Sequence, residues 1–269
     1  MMMVPTTGAG STETLAGRKP PRTAWVRVVL PAYNEEETIG VLLERLDQAF
    51  AEAGLHGDVL VVNDGSTDRT AEVVRAYRGQ LPVELLDLNP NRGLAEAIKA
   101  GLLTAVERSG KDDIIVTMDA DNSHTPGLIL RMVRMVREGS DVVIASRYQP
   151  GARVRGVPWH RQLMSLGAAV LFRILAPIPG VRDYTCGYRA YRADLLRQAF
   201  NRYRQEFISQ PGFGCMAEIL LKLRSFDPII NEAPLILRYD LKHSTSKMKV
   251  LRTVKQTLGL LLRNIGRRG

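Results

Sequence analysis

Two aspartates one residue apart, Asp119 and Asp121, close the apolar run Ile114–Met118 in the order Met118-Asp119-Ala120-Asp121. Alternate residues of an extended chain point to one side, so both carboxylates face the same way. Two anions that close favour a divalent cation between them. Hard oxygen ligands in a partly open shell suit Mg2+ or Mn2+ held against a diphosphate. An Asp at a strand end also serves to cap a helix, so the reading depends on what surrounds the pair.

The elements that must position the pair are legible as an alternation. Short apolar runs at Val26–Leu30, Asp58–Val62, Val83–Leu88, Ile114–Met118 and Asp141–Ala145 read as strands. Amphipathic helical patterns over Thr38–Ala53, Asp68–Tyr77, Leu94–Glu107 and Pro126–Glu138 separate them. This repeat predicts an α/β fold with a mainly parallel central sheet covered by helices. Ligands of such sheets bind beyond the carboxyl ends of the strands. The polar clusters Pro31–Glu35, Asn63–Asp68, Asn89–Gly93 and Asp119–His124 all fall there.

After residue 150 the alternation stops. Apolar residues at Trp159, Leu163, Leu166, Val170 and Ile174 predict a helix over Trp159–Leu175, ended by Pro177 and Pro179. Its other face is small or apolar too, which places it in the core or at an interface. A mixed region with short strands is expected next, and a strand passage over Pro228–Tyr239. The domain reading is a disordered tail over 1–24, a catalytic domain over 25–241 that includes the helix 159–175, and a basic amphipathic segment over 242–269. That last segment has eight Lys or Arg and no acid, with an apolar stripe at Leu251, Val254, Leu258, Leu261 and Ile265.

Composition narrows the partners. The net charge of +9 over 269 residues favours polyanions: nucleic acid, anionic lipid or phosphorylated substrates. A basic nucleic-acid-binding protein is one alternative, yet aromatics are 6% and no base-reading module is present, so no nucleic-acid partner is expected. The two cysteines, Cys186 and Cys215, make neither a disulfide framework nor a metal motif and read as free thiols. No run approaches the roughly 20 apolar residues of a spanning helix. There is no Gly-x-Gly-x-x-Gly after the first strand and no Gly-Lys-Ser/Thr phosphate loop, which argues against NAD, FAD and simple ATPase chemistry.

Five motifs stand in a definite order: Pro31-Ala32-Tyr33-Asn34-Glu35, Asn63-Asp64-Gly65-Ser66-Thr67-Asp68, Asn91-Arg92-Gly93, Asp119-Ala120-Asp121 and Ser146-Arg147-Tyr148. In that order the chain resembles the family 2 glycosyltransferases, which have a GT-A fold, a Rossmann-like arrangement for nucleotide-diphospho-sugars. Asp183-Tyr184-Thr185-Cys186-Gly187-Tyr188-Arg189 and Ser246-Lys247 resemble later motifs of the dolichyl- and polyprenyl-phosphate sugar transferases. Ser123 stands where several of those relatives have a Gln metal ligand.

The resemblance implies an inverting hexosyltransferase that moves mannose from GDP-mannose to a polyprenyl or dolichyl phosphate with Mg2+ or Mn2+. Asp119 and Asp121 would hold the metal and, with Ala120, the donor diphosphate. Pro31, Ala32, Tyr33, Glu35 and Asp64 would line the base and ribose pocket. Arg147 and Arg161 would bring the acceptor phosphate to the anomeric carbon, with Ser165 adding a hydrogen bond one turn beyond Arg161. Arg189 and Lys247 would meet donor or acceptor phosphates, and His124 would order the metal loop. The helix 159–175 and the basic segment would sit on an anionic membrane surface. The enzyme would then be peripheral or monotopic at the cytoplasmic face, with room for a small membrane partner or a homo-oligomer. Two enzyme alternatives are a UDP-glucose-dependent polyprenyl-phosphate glucosyltransferase and a family 2 transferase with a soluble acceptor, such as a glycan, a glycerate derivative or a small glycoside.

Overall fold

The computed structural model describes residues 24–239. The expected tail over 1–24, apart from its last residue, and the basic segment over 242–269 lie outside the described residues, as does Lys247.

In chain order the elements are β1 (Val26–Ala32), α1 (Ile39–Ala53), β2 (Gly57–Asp64), α2 (Thr70–Ala76), β3 (Val83–Leu88), α3 (Leu94–Arg108), β4 (Ile114–Thr117), α4 (Leu128–Arg137), β5 (Val142–Ser146), β6 (Arg153–Arg155), α5 (Trp159–Leu175), β7 (Arg189–Arg192), α6 (Ala193–Tyr203), α7 (Gly214–Leu223), β8 (Ile230–Pro234) and β9 (Ile236–Arg238). The α1 helix buries Ile39, Leu42, Leu43, Leu46 and Phe50, a three-to-four spacing that makes one apolar face. Gly54 ends it in the left-handed region, with its N–H turned back to Ala51 O. The α4 helix repeats the pattern with Ile129, Met132, Val133 and Val136.

The main sheet has the order β3-β2-β1-β4-β7-β5-β8. Chain order reverses between β1 and β4, so a crevice opens there beyond the strand ends. The strands β1, β2, β3 and β4 are parallel, as are β5 and β8. The exception is β7, antiparallel to both neighbours, with Thr117 opposite Arg189 and Ile144 also opposite Arg189. An antiparallel strand starts at the edge where its parallel neighbours finish, so the segment before β7, residues 182–188, arrives at the functional edge.

The sequence predicts the five leading strands and four helices to within a few residues. The mixed region expected after Pro179 holds one short strand, β7, together with the helices α6 and α7, and the strand passage expected over Pro228–Tyr239 is β8 and β9. Both helices carry apolar residues at helical spacing, for example Leu195, Leu196, Ala199 and Phe200. A second, two-stranded ribbon pairs β6 with β9, and the bridge between His124 and Leu237 ties it to the loop after β4.

Candidate active site

Three strand-end loops interlock at the crevice. After β1, Asn34 adopts a left-handed backbone, and its N–H donates to Ser66 Oγ at 2.9 Å. Its side-chain oxygen accepts the Thr67 N–H at 2.8 Å, and the Glu35 N–H donates to Thr70 Oγ1 at 2.9 Å. The β1 and β2 loops therefore clasp each other. Asp64, at the end of β2, accepts the N–H groups of Arg92 at 2.7 Å and Gly93 at 2.8 Å. Its carboxylate thus organises the Asn91-Arg92-Gly93 loop. Gly65 is left-handed at φ 63°, and a methyl there would lie 2.5 Å from Asn91 N, so only glycine lets these two loops meet.

Across the crevice stands the turn after β4. Thr38 Oγ1 lies 3.2 Å from Ala120 O and 3.0 Å from Glu35 Oε2, joining the first and fourth strand ends. Asp121 is buried and its Oδ1 accepts both the Ser123 N–H at 3.1 Å and Oγ–H at 2.5 Å. Ser123 therefore orients Asp121 from within the same turn. His124 Nδ1 faces the Asp119 N–H at 3.4 Å, and its ring stacks on Tyr188 with centroids 5.0 Å apart. Arg45 of α1 reaches Asn122, which is left-handed. A side chain at Gly187 would begin 3.3 Å from Asp119 Oδ1, so glycine leaves this carboxylate its space.

These residues fit a hard divalent cation. Two carboxylates rise from one turn, and among the described residues no set of three His, Cys, Asp or Glu could enclose an ion. The remaining positions of a hard-ion shell would fall to diphosphate oxygens and water.

The third part of the site follows β5. Arg147 donates from Nε to Asp183 Oδ2 at 2.8 Å and from Nη2 to Asp183 Oδ1 at 2.7 Å, with a further Nη2 bond to Thr185 Oγ1 at 2.7 Å. Burial alone would push the Asp183 carboxyl up; the Arg147 guanidinium and backbone N–H donors outweigh it and hold it below the usual carboxylate range. Burial disfavours the charged Arg147 too, but Asp183 overcomes this and raises it, so the guanidinium stays charged. Tyr148 OH pairs with Ser165 Oγ at 2.8 Å, linking this strand end to α5. Arg161 stands one turn earlier on α5.

Not every expected residue gathers here. Arg189 is fully enclosed, with Nη1 donating to Met216 O at 2.7 Å and Nη2 to Tyr184 O at 2.8 Å. It braces the sheet against α7, behind the crevice. Pro31 and Ala32 continue β1, with Ala32 buried and Tyr33 half-buried at its mouth. Cys186 and Cys215 are free and buried, and burial pushes both thiols up to about 12, so neither is a nucleophile near neutral pH. The residues not assigned from sequence are Asp183 and Thr185, which grip Arg147, and Ser123 and Tyr148. Asp183 stands inside the run 183–189 already singled out, but its partner is 36 residues away.

A mainly parallel sheet with a diacidic turn at its switch point, and a charged arginine after β5, defines a nucleotide-sugar transferase of GT-A fold. Residues 27–200 match Glycosyl transferase family 2, and the chain belongs to that family. It is 34% identical over 198 residues to the dolichol-phosphate mannosyltransferase of Pyrococcus furiosus, covering 73% of this chain and 52% of that one. The chain thus spans about half the length of that relative. It is 34% identical to the undecaprenyl-phosphate mannosyltransferase of Micrococcus luteus over 211 residues, 78% of this chain and 82% of that one. Its fold is similar to that of glucosyl-3-phosphoglycerate synthase from Mycobacterium tuberculosis, with a TM-score of 0.64, 24% identity, and coverage of 90% of this chain and 79% of that one. That structure holds Mn2+, UDP and phosphoglyceric acid, and another of the same enzyme holds UDP-glucose.

These findings correct the narrower expectation. The fold across nine-tenths of the chain is shared with an enzyme that carries a uridine donor and a small phosphorylated acid. The narrowing to a dolichyl- or polyprenyl-phosphate mannosyltransferase, with GDP-mannose, a polyprenyl phosphate acceptor, an anionic membrane surface and a small membrane partner, does not stand. Nor does the peripheral location at the cytoplasmic face. The physical reason is that the motifs read from the sequence build the clasped strand-end loops and the diacidic turn. They do not read the base, the sugar or the acceptor. Among the described residues no helix is long and apolar enough to cross a membrane. Mn2+, one of the two cations expected, is the ion in those structures.

Proposed function

We propose that this chain transfers a hexosyl group from a UDP-sugar, UDP-glucose foremost, to a soluble acceptor bearing an anionic phosphate or carboxylate, of the phosphoglycerate kind. The observation that carries the reading is the segment Asp183–Gly187, which joins two chemistries. Through Asp183 and Thr185 it holds the charged Arg147, and through Gly187 it borders the Asp119 carboxylate of the diacidic turn. Asp119 and Asp121 would hold Mn2+, which supplies neutralisation of the charge that develops on the leaving diphosphate. Ser123 keeps the Asp121 carboxylate directed, and the clasped loops around Asn34 and Gly65 shape the nucleotide end. Arg147 binds the anionic end of the acceptor and sets its hydroxyl toward the anomeric carbon. The similarity in fold to the phosphoglycerate-binding synthase supports this choice of acceptor.

The test is transfer of labelled sugar by the full chain with Mn2+, from UDP-glucose and GDP-mannose in parallel. Acceptors are 3-phosphoglyceric acid in buffer and a short polyprenyl phosphate in detergent, with Asp121→Ala as control. The expected product is water-soluble, acceptor-dependent and made from UDP-glucose, and it disappears in the variant. Label found only in the organic phase, or only from GDP-mannose, overturns the reading.

A further inference from the structure

The strands β5 and β8 run parallel, with Ile144 opposite Glu232 and Ser146 opposite Pro234. Arg147 directly follows β5, and the middle of β8 carries Glu232. The segment 181–187 lies across both. Glu232 Oε1 accepts the N–H of Arg182 at 2.6 Å and the N–H of Asp183 at 2.7 Å. Asp183, fully buried, accepts the Thr185 and Cys186 amides on Oδ1 and grips Arg147 side-on through Nε and Nη2. Arg147 Nη1 has no hydrogen bond among the described residues, and 24% of the side chain is exposed.

Glu232 is 6% exposed, and its Oε2 has no hydrogen-bond partner among the described residues. A buried carboxylate oxygen without a donor costs stability. What Glu232 contributes is therefore local: it fixes two adjacent amides, and with them the place where Asp183 stands. A guanidinium held on two of its nitrogens by one carboxylate has a defined plane, and its third nitrogen a defined direction.

We propose that Glu232 is a positioning residue for transfer. Through the amides of Arg182 and Asp183 it sets Asp183, and through Asp183 it aims the free Nη1 of Arg147 at the anionic group of the acceptor. The inference rests on the reading above, in which Arg147 meets that group.

The test is steady-state kinetics of the full chain with UDP-glucose, Mn2+ and 3-phosphoglyceric acid. The variants are Glu232→Ala, Glu232→Gln, Arg147→Ala and the double variant Glu232→Ala/Arg147→Ala. Loss of Glu232 is expected to raise the acceptor KM about tenfold, the size of coupling between neighbouring groups, with the donor KM unchanged. Glutamine keeps an oxygen for both amides and is expected to restore the wild-type KM. The double variant is expected to be no worse than Arg147→Ala. Equal losses toward donor and acceptor, additive losses, or failure of glutamine to rescue overturn the proposal. If Glu232→Ala does not fold, Glu232→Met fills the space without accepting either amide and takes its place. If the wild type makes no product from phosphoglyceric acid, the functional reading falls. The positioning inference is then decided without any acceptor, by urea unfolding midpoints of the wild type, Glu232→Ala, Arg147→Ala and the double variant: non-additive shifts support the relay, and additive shifts overturn it.

Discussion

At the scale of single residues, two side groups show how little freedom the crevice has. Asp183 has its carboxyl held low in the folded chain, while an unfolded Asp titrates at about pH 3.9. Its stabilisation is therefore complete above that unfolded value and is lost as pH falls through the lower folded one. Replacing it by Asn should flatten the acid limb: the urea midpoint of Asp183→Asn should fall less steeply than the wild type's from about pH 5 down to about pH 2. Parallel acid limbs would show that the Arg147 pair does not hold Asp183 low. Gly65 is the second case. Its left-handed backbone and the 2.5 Å approach of Asn91 N leave no room for a methyl. Gly65→Ala should cost about 1–3 kcal/mol and weaken UDP binding, since the loop it displaces is the one organised by Asp64. Calorimetry of UDP with Mn2+ checks this, and an alanine variant with native affinity would refute it.

At the scale of elements, α5 has two unlike faces. Phe172 is fully buried and stacks on Tyr184 at 5.0 Å, while Leu163 and Ile174 are 60% and 70% exposed. Phe172→Ala should cost about 3–5 kcal/mol in urea unfolding, and Leu163→Gln should change stability by less than about 0.5 kcal/mol. Comparable losses at both positions would mean that the outer face is packed against something in solution. The sequence pattern placed the apolar stripe correctly on a helix, but the stripe of large residues faces outward. The inward face is built from smaller residues such as Ala169 together with Phe172. Hydrophobic spacing shows that a helix has a stripe; it does not say which side is buried.

For the whole molecule, the site is assembled from chain segments that the fold brings to one sheet edge. Ligands that bind the assembled site and not the unfolded chain must stabilise it. UDP with Mn2+ at about a hundredfold excess over Kd should add about 2.7 kcal/mol to unfolding, and Asp119→Ala/Asp121→Ala should abolish that gain. A chelator should leave the unfolding midpoint of the nucleotide-free protein unchanged. A drop on chelation would assign the ion to the fold and remove it from the donor site. No stabilisation by UDP with Mn2+ would count against the donor reading as a whole.

Local order along the chain was enough to read the β-α alternation, the strand-end clusters and the Asp119–Asp121 pair. These depend on periodicity and on residues adjacent in sequence. Tertiary structure alone decided the rest. It inserted β7 antiparallel between β4 and β5, because a four-residue strand of Arg-Ala-Tyr-Arg carries no apolar run to announce it. It thereby delivered Asp183 to Arg147. It enclosed Arg189, whose charge had suggested a phosphate contact, against two backbone carbonyls. It also placed Glu232, a lone acid in the run Ile229–Ile236, beneath the amides of Arg182 and Asp183. Hydrogen bonds across 36 and 49 residues have no period, so only the folded sheet could reveal them.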